Sequence, residues 1–282
     1  MTKQLALSIL ITLGMIVNFS AVAASIATIE IEITKDNKTE KKTEIVTIDG
    51  DKARLDFLGT SGEKTDQTPY LLTVDGGKSW ILGNTHKGEF YCATVEPAAF
   101  FKEIGTIVTE VVALVNPKVL EIKLDKTKEE PGPKIQDVPT TYVQLVTTAE
   151  AEASILFKKY QYTIKITDDV WYAPELEIQA FRKRWLEALT QSGYEKLDKM
   201  FIAWAKELPG PILKQESEIV LTNVIKNEST VQKETANIIS VKDVKSADIP
   251  QQTFAVPTCK KITQIELEWA AKEMVKEGKL AL

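Results

Sequence analysis

The sequence predicts an α+β protein built on one large antiparallel sheet, and three observations carry that prediction. Strand-like segments follow one another with period-2 alternation, joined by short polar or Asp-Gly turns. Segments with helical spacing are gathered in a few places and do not alternate with the strands, which argues against a parallel sheet. The 282 residues are 44% apolar and 27% charged, the proportions of a folded globular chain and not of a disordered or multi-spanning one.

The first element is a targeting segment. Lys3 gives a positive start, residues 5–17 form an apolar run, and Ala21-Val22-Ala23-Ala24 is a small-residue cleavage site before Ser25, so residues 1–24 read as a secretory signal peptide. A retained anchor is the competing reading, but the run is short for a span of ~20 residues. No cysteine follows the cleavage site, so a lipid-modified terminus is not expected. No later stretch is long and apolar enough to span a membrane, which leaves an exported chain, periplasmic or secreted.

Strands come next. Thr28-Ile29-Glu30-Ile31-Glu32-Ile33-Thr34 alternates strictly, Asp36-Asn37-Lys38 turns, and residues 43–48 continue as strand. Asp49-Gly50 supplies the positive φ of a tight hairpin, answered by Lys52-Ala53-Arg54-Leu55-Asp56-Phe57. Tyr70-Leu71-Leu72-Thr73-Val74, the turn Asp75-Gly76-Gly77, Ser79-Trp80-Ile81-Leu82 and Phe90-Tyr91-Cys92 extend the meander. After Pro97 the period changes: Phe101, Ile104, Ile107, Val108, Val111 and Leu114 have helical spacing until Asn116-Pro117. Strands resume at residues 119–124, 141–146 and 160–167, with the charged stretch 126–133 read as a loop too short to link two domains.

Two short helices follow, one with the stripe Ile178, Phe181, Trp185 and Leu189, the other with Leu197, Met200, Phe201 and Trp204. Pro209-Gly210-Pro211 closes the pair. Residues 214–224 and 231–244 return to strand, residues 249–257 read as extended, and residues 265–279 form a last helix. The expected division is a signal peptide at 1–24, a single domain at 25–262 and a helical extension at 263–282.

Several of these segments carry a resemblance. Ala247-Asp248-Ile249-Pro250, with Phe254 and Val256-Pro257, resembles the closing D-I-P-x-x-x-F-x-V-P-x-G-Y of a family of secreted bacterial proteins of unknown function. Asp169-Val170-Trp171-Tyr172-Ala173-Pro174-Glu175-Leu176 resembles that family's strand end before its helices. The hairpin opening from Gly132-Pro133 to Thr141 and the return strand Pro211-Ile212-Leu213-Lys214-Gln215-Glu216 are similar to it as well. Such proteins are similar in pattern to the periplasmic lipoprotein carriers LolA and LolB. The resemblance implies a strongly curved antiparallel sheet, an incomplete barrel with helices covering its concave face, here with an added C-terminal helix. Cys259-Lys260 stands where the pattern has Gly-Tyr, and no residue of the carriers is matched one by one, so the resemblance implies the fold and not their activity.

Composition narrows the chemistry. With 35 basic against 40 acidic side chains the chain lacks the electrostatic footprint of a phosphate-backbone binder, so no nucleic-acid partner is expected. The single histidine, His86, sits in an apparent turn, and no second histidine or cysteine pair offers metal-ligand spacing. No nucleophile, base and orienter can be assembled, so no catalytic residue, metal or cofactor is expected. Asp49-Gly50-Asp51 and Asp75-Gly76-Gly77 lack the remaining ligands of a calcium loop and read as turns. The sequons at Asn37 and Asn227 fall in surface turns. Cys92 and Cys259 are either a disulfide of an exported protein or two buried thiols.

The aromatic residues Trp171, Phe181, Trp185, Phe201 and Trp204 cluster in the helical part, with Trp80, Phe90 and Phe101 in the first half. If helices lid a curved sheet, these side chains either pack the space solid or line an apolar cavity. The expectation is a non-enzymatic envelope protein that binds a lipid, acyl chain or lipoprotein segment between sheet and helices. The alternative is a structural or interaction domain with a filled core that docks a partner through its convex face or through the C-terminal helix around Trp269 and Met274.

Overall fold

The computed structural model describes residues 24–261, except 36, 60–61, 66–67, 87–88, 100–101, 103–117, 156–157, 177–179, 192, 194 and 257–258. The cleavage region before Ala24, the expected helix at residues 101–114 save for Lys102, and the C-terminal helix with Trp269 and Met274 therefore lie outside the described residues; residues 97–99 and Lys102 are helical. The first meander comprises β1 (Ala24–Lys35), β2 (Lys38–Asp49), β3 (Lys52–Gly59), β4 (Tyr70–Thr73), β5 (Trp80–His86) and β6 (Glu89–Val95). The second begins with β7 (Lys118–Pro131), β8 (Thr141–Ile155) and β9 (Lys158–Tyr172). Helices α1 (Ala180–Leu189) and α2 (Glu195–Glu207) follow, then β10 (Ile212–Asn223) and β11 (Glu228–Val244). Short 3-10 turns at Ser246–Asp248 and Gln251–Phe254 lead to β12 (Lys260–Lys261).

All the described strands belong to one sheet, ordered β12-β6-β5-β4-β3-β2-β1-β11-β10-β9-β8-β7. Its two edges, β12 and β7, do not pair with each other, so the sheet is open and not a closed barrel. Every neighbouring pair is antiparallel except β12, which lies parallel to β6. The hairpins arise where the sequence places turn residues: Gly50 has φ 58°, Asn37 φ 60° and Asn227 φ 54°, the left-handed conformation that glycine and asparagine tolerate.

Strand register assigns each side chain to a face, because directly paired residues point the same way. Ala27, Ile29, Ile31 and Ile33 of β1 form the centre of the inner face, flanked by Val46 and Ile48 of β2 and by Ala236 and Ile238 of β11. Helices α1 and α2 pack on this same face. Phe181 of α1 meets Trp80, and Phe201 and Trp204 of α2 lie half-buried against the core. Gly77, with φ 84°, lets α1 approach: a Cβ there would lie 2.6 Å from the Cα of Phe181. Arg184 of α1 donates to the carbonyls of Gly76 at 2.9 Å and Asp75 at 3.3 Å, closing the same corner.

The outer face of β3 to β6 carries a second cluster, covered by the C-terminal segment. Arg54 donates to Asp56 at 2.7 Å, stacks on the Tyr70 ring at 4.6 Å and reaches the Thr253 carbonyl at 3.1 Å. Tyr70 lies across Gly83 and its hydroxyl donates to the sulfur of Cys92 at 3.6 Å. Cys92 and Cys259 stand at disulfide distance, with Cα atoms 5.7 Å apart, inside the range a bridge requires.

Three expectations are corrected. Residues 126–131 are not a loop but the end of β7, paired with β8 through Lys126 to Leu145 and Pro131 to Thr141. Their charges suit an edge strand, which is wet on its free side and protected there from pairing with another chain. His86 is the last residue of β5, paired with Glu89, and not part of the turn. Residues 249–257, expected to be extended, hold a 3-10 turn.

Candidate functional site

The inner face is where helices, sheet and unusual polar groups meet. Across five strands, one row of directly paired residues reads Ile33 (β1), Glu234 (β11), Ser217 (β10), Asp168 (β9) and Leu145 (β8). The row continues to Glu40 of β2 and to Lys126 of β7. Glu234 is 3% exposed and Asp168 7% exposed, so two carboxyl groups are buried within one row of the sheet.

The two are treated differently by their surroundings. Asp168 accepts from Ser217 Oγ at 2.6 Å and from Gln215 Nε2 at 3.2 Å, while Gln215 also donates to Ser217 at 3.1 Å. Burial still holds its carboxyl above the ordinary aspartate range, because loss of water outweighs the two donors. Glu234 has both carboxyl oxygens buried with no hydrogen-bond partner. Burial pushes it up to about 7, opposed by the positive charge of Lys42 and reinforced by Asp168. Among the described residues no group of three His, Cys, Asp or Glu side chains is placed to hold a metal ion.

Beside this polar row, toward the hairpin tips, the inner face becomes apolar. Leu124, Ile166 and Ile219 fall in one cross-strand row, bridged by Thr147 between Leu124 and Ile166. Ile122, Ile164 and Leu221 fall in the next, with Ala149 between Ile122 and Ile164. All six large side chains are half-buried, in contrast to the sealed packing around Trp80 and Phe181, each 1% exposed.

The structure divides the aromatic residues singled out in the sequence. Trp80, Phe181, Phe201 and Trp204 come to the helix-bearing side of the sheet. Phe90 shares the parity of Cys92 and lies on the outer face, its ring 5.9 Å from Tyr70. Trp171 also faces outward, 5.1 Å from the Tyr142 ring and under Lys214 at 4.5 Å. Phe101 and the side chain of Trp185 lie outside the described residues. Trp171 was separable in the sequence by alternation, being out of step with Ile164, Ile166 and Val170; Phe90 was not, because Phe90-Tyr91-Cys92-Ala93 has no polar residue to mark a face. The carboxylate row was not separable, because it depends on which strands pair.

A separate groove of about 320 Å³ lies between the β2–β3 turn and the C-terminal 3-10 turns, lined by Asp49, Lys52, Val74, Ile249 and Phe254 among others. It contains none of the eight aromatic residues above. No helix among the described residues is long and apolar enough to cross a membrane.

No family model matches the sequence, and no curated protein matches it. Among solved structures, the chain is similar to a LolA superfamily protein from Nitrosomonas europaea, at 11% identity and TM-score 0.29 over 91% of this chain and 98% of that one. It is similar to a domain designated outer membrane lipoprotein-sorting protein from Vibrio parahaemolyticus, at 10% identity and TM-score 0.29 over 84% and 91%. PNGF-II matches at 14% identity and TM-score 0.36 over 88% of this chain, which spans 33% of that protein's length. The structural neighbours thus include the LolA group that the sequence motifs resemble.

Proposed function

We propose that the chain is an exported, non-enzymatic envelope protein that binds a lipid, an acyl chain or a lipoprotein segment between the sheet and its helices. The observation that carries this reading is the half-buried double row of Ile122, Leu124, Ile164, Ile166, Ile219 and Leu221 on the helix-bearing face. Branched side chains in such an array gain about 25 cal/mol for each Å² that a ligand removes from water. Phe201 and Trp204, half-buried beside the core, are the aromatic residues best placed to border the ligand. Periplasmic or secreted location is supported by the signal-like residues 1–24 and by a cysteine pair at disulfide distance.

Native mass spectrometry of the full chain purified from an exporting host tests the reading, together with titration by an uncharged fluorescent alkane probe. A retained mass of lipid size, or a saturable one-to-one signal, is the expected result. A clean apoprotein mass with no saturable signal overturns it. A second reading, an interaction domain with a filled core, is favoured by the sealed Trp80 and Phe181 contact; it predicts that deleting residues 263–282 abolishes capture of an envelope partner while folding persists.

A further inference from the structure

We propose that Glu234 and Asp168 form a head-group subsite on the inner face, one that selects an amphipathic ligand ending in a primary ammonium over one ending in a carboxylate or phosphate. The inference rests on the apolar-ligand reading above and adds the chemistry of the polar end. Ile219 is two residues beyond Ser217 on β10, and Ile166 two residues before Asp168 on β9, so the apolar rows begin directly beside the carboxyl groups. Two residues along a strand advance about 7 Å, so the two apolar rows extend about 13 Å from the carboxylate row, enough for a hydrocarbon chain to lie along them.

Glu234 feels one cation, Lys42, and one anion, Asp168, but neither gives its carboxyl group a hydrogen bond. The inner-face charged groups on its side of the row are Lys42, Glu40 and Glu44 from β2 and Asp168 from β9, with Lys126 at the far end of the row on β7. Lys42 pairs with Glu40 at 3.7 Å, and Lys126 is held by Glu129 at 2.7 Å and Glu207 at 2.9 Å. Lys42 acts on Glu234 by charge alone, and the two oxygens of Glu234 are buried without a hydrogen bond. An unpartnered buried carboxyl group is costly, and the three N–H donors of an ammonium are the complement it lacks. A second carboxylate or a phosphate brought to the same row would meet like charge.

The test is calorimetric titration of the full chain at pH 8 with four probes of equal chain length: dodecylamine, dodecyltrimethylammonium, dodecanol and dodecanoate. Dodecylamine is expected to bind about tenfold or more tightly than dodecanoate. It should also outbind dodecyltrimethylammonium, which carries the charge without N–H donors. Glu234→Gln keeps the side-chain volume and is expected to remove most of the preference for dodecylamine over dodecanoate; Asp168→Asn provides an independent second variant. Dodecanoate binding as tightly as dodecylamine, or full preference persisting in both variants, overturns the assignment. If dodecyltrimethylammonium equals dodecylamine, the attraction is bulk charge and the subsite falls. If all four bind alike, the subsite falls and the apolar-ligand reading stands; if none binds, both fall.

Discussion

Trp80 of β5 and Phe181 of α1 meet edge to face, their ring centroids 6.0 Å apart and their planes at 75°. Each is 1% exposed, so this contact fastens the first helix to the sheet with two large side chains removed from water. Phe181→Ala is expected to cost about 3 to 5 kcal/mol, since the surrounding sheet cannot collapse into the space. Urea unfolding followed by tryptophan emission measures the loss. A change under about 1 kcal/mol would show that α1 is not seated as described.

The corner beneath that helix gives a paired prediction. Gly77 and Gly50 both have positive φ, 84° and 58°, but only Gly77 faces a neighbour, the backbone of Phe181. Gly50→Ala is expected to cost about 1 to 2 kcal/mol, the price of the left-handed conformation alone. Gly77→Ala should cost clearly more, because α1 must also move. Equal losses in thermal unfolding would contradict the close approach.

The buried Glu234 makes stability depend on pH. Its carboxyl titrates near 7 in the folded chain, raised by burial, so the folded state holds the proton more firmly than the unfolded state does. The resulting stabilisation is complete below the ordinary glutamate range and is lost as pH rises through about 7, and burial of Asp168 acts in the same direction. Stability is expected to fall between pH 5 and pH 8 by at most about 3 kcal/mol from this group. Glu234→Gln should flatten that slope and be the more stable protein at pH 8. An unchanged slope in the variant would remove Glu234 as its source.

Cys92 and Cys259 are 167 residues apart in sequence, so a bridge between them closes a long loop in the unfolded chain. Chain-entropy arguments give such a closure about 5 kcal/mol. Unfolding in reductant is expected to shift to lower urea by that order, and Cys92→Ala to match the reduced protein. Coincident curves with and without reductant would mean that the pair does not bridge in solution.

How much of this was legible in the sequence depends on the range of the signal. Alternation in Thr28 to Thr34 and the turn at Asp49-Gly50 are local, and they recover β1, β2 and β3 with their faces. Lys126 to Glu130 misleads because an edge strand is wet on its free side, so its alternation is drowned by charge. The site was hidden for a different reason. Glu234 reads in the sequence as an ordinary polar position of a strand; only the pairing of β11 with β1 and β10 turns it inward and sets it in a row with Asp168.

That same pairing governs how the molecule can be assembled. β1 through β6 and β7 through β11 are each runs of strands paired in chain order, with α1 and α2 inserted between β9 and β10, and each run can form from contacts of lower sequence separation. The seam where β1 meets β11 joins Ala24 to Val244 and Lys35 to Gln232, the longest-range ladder in the sheet. Contacts of such high sequence separation form late and slowly, because most of the chain must be ordered before they are rewarded. The middle of the sheet therefore closes late, and only then does the row of Glu234, Ser217 and Asp168, already set by β11, β10 and β9, gain Ile33 of β1 beside it.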